Sequence, residues 1–191
     1  MTTRRVPRLL TAVLPTPLVV LAALPALLGA CASDGTTGPS GHYVDAPAVD
    51  ADGFVVLEPG VAASAQPSRS ALERAAAVGY RTVVNFRSEG ETPSPEDERK
   101  AVEGLGLSYV HIPVKGPNLS VEHAAALAEV LDDPGRKPVL LHCSSGNRAA
   151  GAWALYLARF RNVPPDEAVR RGEAAGMQSN VRAVVERQLA R

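Results

Sequence analysis

Residues 139–153 read VLLHCSSGNRAAGAW, and this stretch decides which fold and which chemistry the rest of the chain must fit. A short apolar run ends at His142 and Cys143, a polar loop follows, and Arg148 opens a second apolar stretch. The short run predicts a buried strand, and the longer apolar stretch predicts a helix. The sequence therefore puts a cysteine at the carboxyl end of a strand and an arginine at the start of the next helix.

The same alternation of strands and helices runs through the sequence from residue 53 onward. Strands are predicted at 54–57, 81–86, 109–114 and 139–142, and helices at 68–79, from 94, and at 120–131, 148–161, 165–175 and 179–190. This order favours an α/β fold with a mostly parallel sheet flanked by helices. Ligands of such sheets bind beyond the carboxyl ends of the strands, which is where Cys143 is expected.

The beginning of the chain has the pattern of an export signal. A basic segment without acidic residues is followed by an apolar stretch over residues 9–28 and by small residues before Cys31. This order predicts a signal peptide at 1–30. Its ending is similar to the lipobox of bacterial lipoproteins, which implies a lipid on Cys31, a membrane as partner and a place on the periplasmic or extracellular face of the cell envelope. A transmembrane anchor is the alternative, because the apolar stretch is long enough to span a bilayer.

The remaining sequence divides into a linker and one domain. Residues 31–52 are rich in small and polar residues without an apolar period, which predicts a flexible linker. Residues 53–191 have the length of one ordinary domain. The chain carries 20 basic and 20 acidic residues, and three of the basic ones fall in the signal, so the balance without it is 17 against 20. This balance argues against a nucleic-acid partner. No zinc-type cluster and no glycine-rich nucleotide motif is present, so neither a metal nor a cofactor is predicted.

The cysteine content directs attention to Cys143. The chain has 2 cysteines, and if Cys31 carries lipid, Cys143 has no partner for an internal disulfide. A single remaining cysteine in an exported protein is a candidate reactive thiol. The alternative is a small buried hydrophobic residue.

The loop after Cys143 has the composition of an anion site. Four residues form this predicted anion-binding loop, which comprises Ser144, Ser145, Gly146 and Asn147. Gly146 lets the backbone turn tightly, and the N–H groups of such a turn and of the next helix can converge on an anion. Arg148 adds a planar fork suited to an oxyanion. The positive field favours the thiolate form of Cys143, which would be a nucleophile directed at phosphorus or sulfur.

Three segments together resemble a known family. They are GYRTVVNFRSEGE at 79–91, YVHIPV at 109–114 and HCSSGNR at 142–148. They are similar to the phosphatase-like domain of beta-lactamase-hydrolase-like proteins, which is related to the dual-specificity and tyrosine phosphatases, and the resemblance covers about residues 53–177. It implies a cysteine-phosphatase-like fold and a hydrolase acting on a phosphoester through a phosphocysteine. Cys143 would be the nucleophile and Arg148 the oxyanion clamp.

The chain departs from ordinary tyrosine phosphatases at three points. Four residues rather than five separate Cys143 from Arg148, and Ala149 stands where those enzymes have serine or threonine. The loop at 115–118, where those enzymes carry an aspartate general acid, has no carboxylate. Rhodaneses share the four-residue spacing and carry a persulfide on the cysteine. A rhodanese-like sulfurtransferase with a sulfur-containing substrate, and a non-catalytic anion-binding module, therefore remain alternatives.

Four further residues are candidates for supporting roles. Arg87, Glu89 and Glu91 follow the end of a predicted strand. Either glutamate could substitute for the missing general acid, and Arg87 could bind substrate or tie down the loop, while the alternative for all three is a solvated charged loop. His142 could support the cysteine loop by hydrogen bonding or could be a core histidine.

Overall fold

The structure is a computed structural model, and it describes residues 53–191. The strands in this part of the chain are β1 (Val55–Glu58), β2 (Val61–Ser64), β3 (Thr82–Asn85), β4 (Ser108–His111) and β5 (Val139–His142). The helices are α1 (Arg69–Ala77), α2 (Pro95–Glu103), α3 (Val121–Leu131), α4 (Asn147–Phe160), α5 (Pro165–Ala174) and α6 (Ser179–Leu189), with short 3-10 turns at Gly116–Asn118 and Pro134–Arg136.

The strands form one mostly parallel sheet in the order β1-β2-β5-β3-β4. Strands β2, β5, β3 and β4 run parallel, and β1 pairs antiparallel with β2 at one edge. The register aligns His142 with Ser64 on one side and with Asn85 on the other. The carboxyl ends of three strands thus meet at one edge of the sheet, which confirms the predicted α/β architecture with flanking helices.

Strand β2 was missing from the sequence prediction. Its residues Val61, Ala62 and Ala63 are buried, and Gly60, with a φ of 79°, is the second residue of the turn that joins it to β1. The side chains are small and the run is short, so neither strand propensity nor apolar period identifies it. Strand β4 runs from Ser108 to His111, so the predicted strand at 109–114 begins one residue late and ends three residues late.

Side chains of β3 and β5 alternate between two apolar cores. Val84 and Leu141 lie in the larger core, formed with α3, α4, α5 and α6. Val83 and Leu140 lie in a smaller core under α1 and α2. Alternation along a strand sends neighbouring residues to opposite faces of the sheet. Cys143 accordingly belongs to the larger core, whereas His142 lies near α2.

The predicted helix starts at Ser68 and Ser94 are confirmed. Each serine hydroxyl accepts a backbone hydrogen bond from the third residue after it, Ala71 and Asp97 respectively, at 3.1 Å. Such caps satisfy N–H groups that have no partner within the helix. They fix where α1 and α2 begin.

None of the helices within residues 53–191 is long and apolar enough to cross a membrane. The predicted signal peptide, the linker and the lipidation site Cys31 lie outside the described residues and stay predictions.

Candidate functional site

The loop between β5 and α4 joins a buried cysteine to a helix amino terminus. Cys143 is 0% exposed, whereas Ser144 and Ser145 are exposed at the protein surface. Gly146 has a φ of 85°, a left-handed conformation that favours glycine, and its carbonyl accepts the first helical hydrogen bond of α4 from Ala150 at 2.9 Å. The first N–H groups of α4 have no partner within the helix, so this end of α4 favours an anion.

Arg148 is held by contacts from two other loops. Its Nη1 donates to Glu91 Oε1 at 2.7 Å and to the Val114 carbonyl at 2.9 Å, and its Nη2 donates to Glu91 Oε2 at 2.8 Å. A longer hydrogen bond of 3.4 Å joins Nη1 to the Phe86 carbonyl. The Arg148 side chain is 13% exposed, so these contacts fix its direction largely out of solvent.

One edge of the Arg148 guanidinium is left for a ligand. Glu91 and Val114 take both Nη1 protons and one Nη2 proton. The Nε proton and the second Nη2 proton lie together on the other edge of the planar fork. Cys143 lies close enough to contribute to the raised pKa of Arg148, after the larger effect of Glu91. The edge is therefore suited to two oxygens of an anion beside the thiol.

Glu91 is the partner that orients Arg148. The hydrogen bonds from Arg148 hold the pKa of Glu91 at about 2, with a further backbone hydrogen bond from Ser88 at 2.6 Å. A carboxyl group with this pKa is ionised at neutral pH and has no proton to donate. The geometry therefore favours a clamping role over the general-acid role considered from the sequence.

Arg87 lies behind this clamp and not at the surface. Its side chain is 1% exposed, and its Nε is 3.7 Å from Glu91 Oε2. Neither Nη nitrogen has a hydrogen-bond partner within residues 53–191. This burial fits the predicted role of tying down the loop rather than direct contact with substrate.

Asn147 uses its side chain to hold α6. Its Oδ1 accepts a hydrogen bond from the Gln178 backbone at 2.9 Å, and its Nδ2 donates to Asn180 Oδ1 at 3.0 Å. Of the predicted anion-binding residues, Asn147 thus has only its backbone N–H available for a ligand. Its side chain instead fixes the end of the loop against the start of α6.

His142 supports the cysteine loop from the opposite face of the sheet. It is fully buried, and its Nδ1 is 3.4 Å from the Cys143 carbonyl oxygen. Burial lowers the pKa of His142 to about 3, so the ring is neutral at physiological pH. Its other nitrogen lies 3.5 Å from Glu98 Oε2 on α2.

Glu98 is a buried group that the sequence did not single out. It is 4% exposed and accepts hydrogen bonds from Gln66 Nε2 and Asn85 Nδ2, each at 2.5 Å. Its neighbours along α2, such as Glu96 and Arg99, are exposed, so the charged run around it resembles a solvated helix face. The helical period of 3.6 residues places Glu98 on the same face of α2 as Val102, and this was the sequence signal that could have identified it.

Glu89 lies at the outer rim, where its carboxylate is 80% exposed and 3.6 Å from His111 Nδ1.

The loop at 115–118 carries no carboxylate. In residues 53–191 no group of three or more His, Cys, Asp or Glu side chains could hold a metal ion. The site is thus built from a thiol, a clamped guanidinium and backbone N–H groups.

Comparison with known proteins identifies the family to which this chain is similar. The family model described as beta-lactamase hydrolase-like protein, phosphatase-like domain, matches residues 53–160. A beta-lactamase hydrolase-like protein from Xylella fastidiosa is 32% identical over 119 residues, 61% of this chain and 27% of that protein. The chain therefore spans about a quarter of the length of this curated relative.

Two solved structures share the fold at low sequence identity. Tk-PTP in its active form is 22% identical with a TM-score of 0.61, over 72% of this chain and 97% of that one. TpbA from P. aeruginosa, in complex with pTyr, is 19% identical with a TM-score of 0.60, over 78% of this chain and 96% of that one. The family model, by contrast, matches more than half of the length of this chain. The chain therefore belongs to the phosphatase-like domain family of the beta-lactamase hydrolase-like proteins.

Proposed function

We propose that the chain is a cysteine-dependent phosphatase that cleaves phosphoesters through a phosphocysteine intermediate. The observation that carries the proposal is the arrangement of hydrogen bonds made by the Arg148 guanidinium. Glu91 accepts hydrogen bonds from both Nη nitrogens of the guanidinium, and the Nε proton and the second Nη2 proton remain on the other edge for an anion. Membership of a phosphatase-like family supports this assignment.

The proposed reaction has two steps at Cys143. The thiolate attacks phosphorus, so that an S–P bond forms while the P–O ester bond breaks, and the leaving oxygen takes a proton from solvent. Water then attacks phosphorus, the S–P bond breaks, and inorganic phosphate and the thiolate are released. Arg148 and the N–H groups at the start of α4 stabilise the oxygens of the transferring phosphoryl group.

The carboxyl groups nearest the site limit the leaving groups that the enzyme can handle. Glu91 is ionised in its clamp, Glu89 is mostly exposed, and the loop at 115–118 has no carboxylate. A general acid matters most when the leaving oxygen is a poor leaving group. Aryl phosphates should therefore be hydrolysed slowly and alkyl phosphates much more slowly, and vanadate should inhibit through the anion loop.

Hydrolysis of 4-nitrophenyl phosphate by the purified full chain tests the proposal. Turnover should disappear in Cys143→Ser and persist in Cys31→Ser, which removes the other cysteine. Retained turnover in Cys143→Ser would refute a cysteine nucleophile. Phosphate or vanadate binding without any turnover in the unchanged protein would favour the non-catalytic anion-binding module.

A rhodanese-like sulfurtransferase is the second candidate, favoured by the four-residue spacing from Cys143 to Arg148. A persulfide forms on the thiolate without protonation of an alkoxide, so this chemistry can proceed without the general acid. Thiosulfate and cyanide should be offered to the same preparations, with Cys143→Ser as control. Efficient thiocyanate formation with negligible aryl phosphate hydrolysis would establish this candidate in place of the phosphatase.

A further inference from the structure

A buried polar cluster lies on the face of the sheet opposite to the thiol. Its centre is the Glu98 carboxylate, which accepts hydrogen bonds from Gln66 and Asn85 at 2.5 Å each and from the Tyr109 hydroxyl at 3.4 Å. The Glu98 side chain is 2% exposed, so its charge state depends on these neighbours rather than on solvent.

Two links connect Glu98 with the cysteine loop. Through Gln66 it reaches the loop backbone, because the Gln66 N–H donates to the Ser144 carbonyl at 3.2 Å. The second link is His142, which directly precedes Cys143. Its Nε2 lies 3.5 Å from Glu98, and its Nδ1 lies 3.4 Å from the Cys143 carbonyl oxygen. A change in the charge of Glu98 would therefore act on both sides of the nucleophile.

The tautomer of His142 follows from its contact with the Cys143 carbonyl. A carbonyl oxygen accepts hydrogen bonds only, so the ring nitrogen beside it, Nδ1, must carry the proton. In the neutral ring Nε2 then carries a lone pair, and it has no hydrogen-bond partner within residues 53–191. This lone pair faces Glu98 Oε2 at 3.5 Å.

An ionised Glu98 would leave two acceptors facing each other in a buried site. Unpaired buried polar atoms and unfavourable electrostatic contacts are costly where solvent is excluded. Protonation of the ring is opposed by burial, which lowers the pKa of His142 to about 3. Burial also raises the pKa of Glu98, in the direction that favours its acid form.

We propose that Glu98 is a positioning residue that holds a proton on Oε2 and donates it to His142 Nε2, bracing the Cys143 loop from behind. A closure of the 3.5 Å separation completes this hydrogen bond. The protonation of Glu98 depends only on the folded structure, whereas its effect on turnover rests on the proposed phosphatase activity.

The surrounding charges indicate what loss of this proton would do. Arg87 faces the cluster from the loop after β3, Tyr109 and His111 from β4, and Arg148 from α4. Glu91 forms ion pairs with both Arg87 and Arg148. Ionisation of Glu98 would add a negative charge behind the thiolate and remove the donor to His142. Activity should therefore fall as Glu98 loses its proton.

The nitrogen resonances of His142 in the ¹⁵N-histidine-labelled full chain test the proposal without any activity measurement. The resonances are assigned by replacing each of the other three histidines in turn. A protonated Nδ1 and an unprotonated, hydrogen-bonded Nε2 at neutral pH are expected, with the Nε2 resonance shifting as Glu98 loses its proton. A protonated Nε2, or an imidazolium ring, would overturn the proposal, because Glu98 would then be an ionised acceptor.

Glu98→Gln separates positioning from a general structural effect. Its amide can still donate to His142 Nε2 but cannot ionise, although the Asn85 amide loses its acceptor at that position. The variant should therefore lose the pH-dependent decline in activity and the pH-dependent Nε2 shift. Glu103→Gln, an exposed carboxylate on the same helix, should retain both. Persistence of the pH-dependent shift in Glu98→Gln would refute the assignment. If the shift behaves as expected in a protein without phosphatase turnover, the proposed function fails and the buried proton stands.

Discussion

Replacing Glu91 with glutamine measures how much the clamp on Arg148 contributes to catalysis. The carboxylate accepts hydrogen bonds at 2.7 and 2.8 Å from the two Nη nitrogens of Arg148. Glutamine keeps one accepting oxygen and turns an NH₂ group toward the other nitrogen, so one charge-assisted hydrogen bond is lost. Such a bond is worth about 1.5–3 kcal/mol, and about 1.4 kcal/mol is a factor of ten in rate. The kcat/KM for an aryl phosphate should therefore fall roughly 10- to 100-fold.

The assay compares kcat/KM for 4-nitrophenyl phosphate in the full chain, in Glu91→Gln and in Glu89→Gln. Glu89 is a matched control, because it lies two residues away, is 80% exposed and faces His111 rather than Arg148. Its replacement should leave kcat/KM unchanged. Urea unfolding of all three proteins checks that the fold is retained.

Dependence on the leaving group separates a clamp from a general acid. A positioning role for Glu91 predicts the same proportional loss with aryl and alkyl phosphates, since Arg148 contacts the phosphoryl oxygens in both. An unchanged kcat/KM would refute the clamp. A much larger loss with alkyl phosphates would show that Glu91 donates a proton to the leaving group.

Three further predictions concern other parts of the chain. Gly146→Ala should cost about 1–2 kcal/mol of stability in urea unfolding because of its positive φ, whereas Gly116→Ala, with open space around it, should cost less. Acidification should destabilise the fold, because an unfolded His142 binds a proton near pH 6.5 and the folded one only near pH 3. Lowering the pH from 7 to 5 should cost about 2 kcal/mol from this residue, and His142→Asn should remove that slope. Cys31→Ser should abolish lipid labelling and release the protein from membranes, whereas equal membrane retention without cleavage would indicate a simple anchor.

The fold could be predicted from local patterns, but the strand order could not. Apolar runs alternating with capped helices identify four of the five described strands and imply a parallel sheet. The position of β5 between β2 and β3 depends on contacts between segments that are distant in sequence. Strand β2 could not be predicted, because two of its four residues are alanine and it follows β1 after a two-residue turn.

The candidate nucleophile Cys143 and its partner Arg148 could be proposed from the sequence because both lie on one short strand-to-helix turn. Glu91 was a candidate from the sequence, but its contact with Arg148 could not be predicted, since the two residues are 57 apart in sequence and meet only in the folded chain. Glu98 was hidden for another reason. It is a charged residue in a charged helix, and only packing against β3 and β5 distinguishes it from its exposed neighbours.

A double-mutant cycle between Glu91 and Glu98 tests whether the two supports of the cysteine loop are independent. Both carboxyl groups interact with buried Arg87, whose Nε is 3.7 Å from Glu91 and whose charge also acts on Glu98. If Glu98 is neutral, Glu98→Gln does not change the charge facing Arg87. The losses in kcat/KM from Glu91→Gln and Glu98→Gln should then multiply at neutral pH, as expected for sites without a shared charge. If Glu98 is ionised, each carboxylate compensates Arg87 when the other is removed, and the double variant should lose more than the product of the single losses. That outcome would contradict a proton held at Glu98 even if each single variant behaved as predicted.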